Sequence, residues 1–173
     1  MTPMRLVLQA VAGGALASSA QANSATLEVT LPRIEAVPYY RPYLAAWVED
    51  ERTAEPVATV AVWYDTRLRD DLGVGFLRHL RTWWRATGEE MTLPADGISG
   101  PTRGPGTHEI ALGGADGPMA GLPAGQYRLA LEVAREDGGR DILRLPLDWT
   151  GEAAVVEATG QEELGQVRLT VTP

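Results

Sequence analysis
The chain has 173 residues, 45% of them hydrophobic, with 15 basic residues against 23 acidic ones and a formal net charge of −8. That length gives one domain with a core of ordinary size, and the charge excludes general nucleic-acid binding, because an acidic surface repels phosphates. The absence of cysteine excludes disulfides, iron–sulfur clusters, cysteine-attached haem and thiol nucleophiles.

The N-terminus has the three parts of a secretory signal. Arg5 is the positive start, Leu6 to Ala17 is the apolar run, and Ser19-Ala20-Gln21-Ala22 ends in a small-x-small pattern. Cleavage is expected after Ala22, which leaves 23–173 as a single domain. The apolar run is too short to span a bilayer, which needs about 20 residues. With no lipobox cysteine to anchor it, the product is expected free in the periplasm or outside the cell.

Short strands separated by turn residues follow. Leu27, Val29 and Leu31 alternate with Thr26, Glu28 and Thr30, a half-buried strand stopped by Pro32. Tyr43 to Val48 and Val57 to Tyr64 read as a hairpin around Glu49-Asp50-Glu51-Arg52. Tyr127 to Val133 alternates, turns at Asp137-Gly138-Gly139 and returns through Leu143, Leu145 and Leu147, with Pro146 interrupting. Val167, Leu169 and Val171 close the chain. Some seven strands at this spacing predict an all-β fold, an immunoglobulin-like antiparallel β-sandwich.

One segment departs from the β pattern. Between Gly75 and Gly88, Phe76, Leu77, Leu80, Trp83 and Trp84 fall within an arc of about 120° at helical spacing, with Arg78, Arg81 and Arg85 opposite. This predicts one inserted amphipathic helix over about residues 75–87, with Thr87-Gly88 as a C-terminal cap. Two arrangements fit the residues. Trp83 and Trp84 either pack onto the sandwich above a solvated arginine face, or present an indole wall and a phosphate clamp to the loop that follows.

That loop, Asp96 to Thr107, holds four glycines and two prolines in twelve residues, which excludes a helix or a central strand. It offers hydroxyls, a carboxylate and a guanidinium. His79 and His108 have no second ligand at metal spacing. Ser99 with His108 lacks the Gly-x-Ser-x-Gly elbow of a hydrolase.

Several stretches carry a family resemblance over nearly the whole mature chain. They are Tyr40-Arg41-Pro42-Tyr43, Val62-Trp63-Tyr64-Asp65, Leu80-Arg81-Thr82-Trp83-Trp84-Arg85, Asp96-Gly97-Ile98-Ser99-Gly100 with Thr102-Arg103, and Leu122-Pro123-Ala124-Gly125-Gln126-Tyr127. Together they resemble a family of predicted periplasmic proteins catalogued as domain of unknown function 2271. More narrowly, Asp96, Gly97, Ser99, Gly100 and Thr102 are similar to the Asp-Gly-x-Ser-Gly-Ala-Thr acceptor motif of flavin-carrying redox subunits, with Pro101 in place of alanine. That resemblance implies FMN linked to Thr102 by a FAD:protein FMN transferase, with Arg103 or the helix arginines beside the phosphodiester and Trp83 or Trp84 beside the ring. It also implies electron exchange with a membrane redox protein of the PepSY type. The alternative is a periplasmic binding or interaction module without flavin.

Overall fold
The computed structural model describes residues 23–113 and 116–173, so the expected leader, 1–22, lies outside the described residues. Nine strands occur among them. They are β1 (Ser24–Leu31), β2 (Tyr43–Asp50), β3 (Pro56–Tyr64), β4 (Ser99–Pro101), β5 (Gly106–Ala111), β6 (Gln126–Ala134), β7 (Arg140–Asp148), β8 (Ala154–Thr159) and β9 (Gln166–Thr172). One sheet runs β5-β1-β9-β8 and the other β4-β3-β2-β6-β7. The fold is the expected all-β sandwich. Of the three strands the sequence did not signal, β8 alternates weakly, β4 is three residues of edge, and β5 opens inside the Gly/Pro stretch read as a loop.

The two sheets enclose one core through alternate side chains. Leu27, Val29 and Leu169 from one sheet meet Leu44, Leu131 and Leu145 from the other. Pro146 is accommodated because β7 is a sheet edge, where the missing amide costs no ladder bond. Tyr127, near the start of β6, donates its hydroxyl to the Pro123 carbonyl at 3.0 Å. This is the tyrosine corner found in immunoglobulin-like sandwiches.

The centre of the five-stranded sheet is buried on both faces, which explains the unbroken apolar run of β2. Its outer face carries Tyr43, Ala45, Trp47, Val62 and Ala130, covered by Leu77, Leu80 and Trp83 from residues 72–90. The sequence placed the right side chains on this cover and the wrong backbone. Instead of one helix over 75–87, the segment runs through α1 (Leu72–Gly75), a 3-10 turn (Phe76–His79), α2 (Arg81–Ala86) and a second 3-10 turn (Gly88–Glu90). The break lies at Leu80, with φ −80° and ψ 68°. Its physical cause is Glu132 of β6, fully buried, whose carboxylate accepts the Thr82 and Trp83 amides at 3.0 and 2.8 Å. A helix N-terminus is thus opened against a sheet carboxylate, which satisfies donors that a helix start leaves free.

Gly88 is not the expected left-handed cap either. A Cβ there would stand 2.6 Å from the Trp83 ring, so the glycine exists to let the indole pack. Gly88→Ala is expected to lower stability by about 1–3 kcal/mol through overpacking, measured by urea unfolding. An unchanged midpoint would show that the indole shifts freely.

Candidate functional site: an aromatic cleft beside Thr102
At one end of the five-stranded sheet, β2 begins while β3, β4 and β6 finish. The antiparallel pairs bring these ends together, and β4 joins by running parallel to β3, with Trp63 opposite Gly100 and Tyr64 opposite Pro101. The segment leaving β4 is therefore not a free loop. The Thr102 amide donates to the Tyr64 carbonyl at 3.1 Å, which fixes Thr102 at the rim of a cleft of about 560 Å³.

Four aromatic residues line that cleft, Tyr39, Tyr40, Tyr43 and Phe76, together with Arg41, Asp65, Arg67, Leu68 and Glu136. Tyr43 and Phe76 lie parallel, 6.2 Å between centroids and 6° between planes, and His79 stacks behind them. Arg67 holds Asp65 through two bonds of 3.1 and 3.2 Å. Those bonds, a backbone amide and the nearby Arg41 charge keep the Asp65 carboxyl below the usual range. Burial, then the negative charge and weak hydrogen bond of Glu136, push the Tyr43 phenol up to about 12, so it stays a neutral donor.

The residues singled out from sequence divide between two places. Gly97, Ser99, Gly100 and Arg103 line a second cleft of about 210 Å³ between the open sheet edges. Gly97 adopts φ +77° and Asp96 beside it is exposed. The Ser99 hydroxyl accepts the Ala95 amide at 2.9 Å and so shapes the turn. Gly100 packs against Trp63, its virtual Cβ 3.4 Å from the ring. Arg103 lies over the same indole at 4.6 Å, and His108 meets it edge-on.

Trp83 is fully buried in the outer layer, its indole nitrogen donating to Thr59, with Trp84 packed beside it. Neither tryptophan lines the Thr102 cleft, and Arg78, Arg81 and Arg85 do not either. The packed arrangement is the one observed, because the sheet's outer apolar face claims the indoles. The wall beside Thr102 is made of tyrosines and Phe76 instead. A cluster of three tyrosines around Arg41 and Pro42 was the available signal, and it went unread as a site because residues 39–43 stand far from Thr102 in sequence.

No curated protein and no solved structure matches the chain. A family model described as "Predicted periplasmic protein (DUF2271)" matches residues 24–166, which takes in the five-stranded sheet, the outer cover, every wall of the Thr102 cleft and three strands of the other sheet. With most of its length matched, the chain belongs to that predicted periplasmic protein family.

Proposed function
We propose that this is an exported electron-transfer protein carrying FMN covalently on Thr102. One observation supports the reading above the others: Thr102 stands at the rim of a cleft of about 560 Å³ walled by aromatic rings and supplied with arginine. Ligand sites typically occupy about 300–1,000 Å³, so a ring system has room there.

In the loading step, the Thr102 hydroxyl oxygen attacks the flavin-side phosphorus of FAD. The pyrophosphate bond breaks, AMP leaves, and the hydroxyl proton passes to a base of the FAD:protein FMN transferase, which also supplies the metal. β4 contributes only three residue pairs at a sheet edge, so lifting it toward the transferase disrupts few backbone bonds. Pro101 fits that edge position, where its missing amide is tolerated. Once loaded, the protein takes electrons from, or passes them to, a membrane redox protein of the PepSY type and catalyses no turnover of its own. A covalent tether suits a compartment from which a dissociated flavin would diffuse away.

Coexpression with the transferase is expected to add the mass of one FMN less one water and to turn the protein yellow. Thr102→Ala is expected to lose both changes completely while folding normally. Lack of any mass gain with an active transferase, or a gain retained in Thr102→Ala, defeats the reading; the first outcome leaves an interaction module without flavin.

A further inference from the structure
We infer that the ring of the group carried by Thr102 rests inside the aromatic cleft, with Arg41 as the counter-charge of its phosphodiester; this rests on Thr102 being the acceptor. The charges of the cleft single out Arg41. Arg67 is already held by Asp65 through two bonds, and Glu136 receives the Tyr43 hydroxyl. Arg41 is exposed and makes no ion pair among the described residues, although its charge reaches Asp65. Arg103, expected from sequence to serve here, is engaged over Trp63 in the other cleft. A phosphodiester on Thr102 thus meets one uncommitted guanidinium, and a charge-assisted bond between them is the strong kind.

The apolar surface points to the same seat. Tyr40 and Leu68 line the cleft while remaining 38% and 41% exposed. Their faces are left in water on the unmodified protein, and a flat ring folding back from Thr102 would cover them at about 25 cal/mol per Å² of apolar area removed from water. Beneath them, the parallel Tyr43 and Phe76 rings form a floor already in place, so little ordering is left to oppose docking.

The test uses the full chain loaded by the transferase, with loading first established by intact mass. Tyrosine in contact with an excited flavin quenches its emission by donating an electron. The tethered flavin is therefore expected to emit several-fold less than free FMN and to resist acrylamide, a neutral quencher. Tyr40→Ser and Arg41→Gln should each make the flavin more accessible to acrylamide. High salt should loosen the wild type in the same way and leave Arg41→Gln unmoved. Arg52→Gln, in the hairpin turn at the opposite end of the sheet, should match the wild type. A loaded wild-type protein whose flavin is as bright and as accessible as free FMN overturns the seat alone, even if a variant fails to fold. Loaded variants indistinguishable from wild type also overturn it. Absence of loading takes down both this inference and the acceptor reading.

Discussion
Glu132→Ala is expected to cost about 3–5 kcal/mol of folding stability, the usual penalty for removing one partner of a buried charge pair. Glu132 has no exposed surface and lies on β6, facing the outer layer. Its carboxylate accepts the amides of Thr82 and Trp83 and pairs with Arg140, which in turn donates to the Thr82 hydroxyl at 2.6 Å. Truncation removes the acceptor for two N-terminal donors of α2 and the partner of a guanidinium that remains against the sheet. Arg140 is one-third exposed, so water recovers part of its loss and places the expected effect toward the lower end of the range. Glu132→Gln retains one carbonyl acceptor and should fall between alanine and wild type. Urea unfolding measures the loss, and the near-ultraviolet signal of buried Trp83 reports whether the outer layer detaches first. A cost below about 1 kcal/mol would mean that this carboxylate behaves like a surface ion-pair partner, and that α2 starts where it does for another reason.

Asp141→Ala should be the second large loss, about 2–3 kcal/mol, and it should depend on pH. One carboxylate oxygen of Asp141, on β7, accepts the amides of Gln161, Glu162, Glu163 and Leu164 at 2.8–3.0 Å. These four residues belong to the turn joining β8 to β9, so the contact fastens one sheet to the turn of the other. Glu163 and Leu164 are buried, and their unmet donors set the size of the loss at about 1–3 kcal/mol each before relaxation. Burial by itself would raise the Asp141 pKa, but the four backbone bonds outweigh it and hold the value below its ordinary 3.8.

The sign of the pH effect follows from that direction. A carboxylate with a depressed folded-state pKa stabilises the fold fully above its unfolded value and loses that contribution as pH falls through the folded one. Urea unfolding of wild type and Asp141→Ala between about pH 7 and about pH 3 should therefore give a constant difference that shrinks only at the acid end. A difference that grows toward low pH would contradict the assignment. The neighbouring bidentate pair of Arg135 with Glu163 fastens the same corner, so changes at Asp141 and Glu163 should not add independently.

Strands were legible in the sequence through two patterns, alternation where one face meets water and an unbroken apolar run where both faces are covered. In β1 and β9 every second residue is buried, and alternation announces that directly. β2 reads instead as an unbroken apolar run because the outer layer covers its second face, and a two-faced strand carries no period of its own. The helical spacing of residues 76–84 identified the buried side chains correctly. It predicted a single helix because the carboxylate that divides the segment comes from Glu132, about fifty residues away and invisible to a local pattern.

The candidate site shows the same division. Composition and turn chemistry determined the all-β architecture and the glycine- and proline-rich approach to Thr102, since each depends on neighbours in sequence. Which aromatic rings stand beside Thr102 was decided by strand pairing, which gathers residues 39–43, 65–68, 76, 102 and 136 at one end of a sheet. Trp83 and Trp84 were nearer in sequence and chemically suited, but they pack into the apolar layer over the outer face of the five-stranded sheet. Removing apolar surface from water drives that packing, and the surface that receives it exists only once the strands have paired.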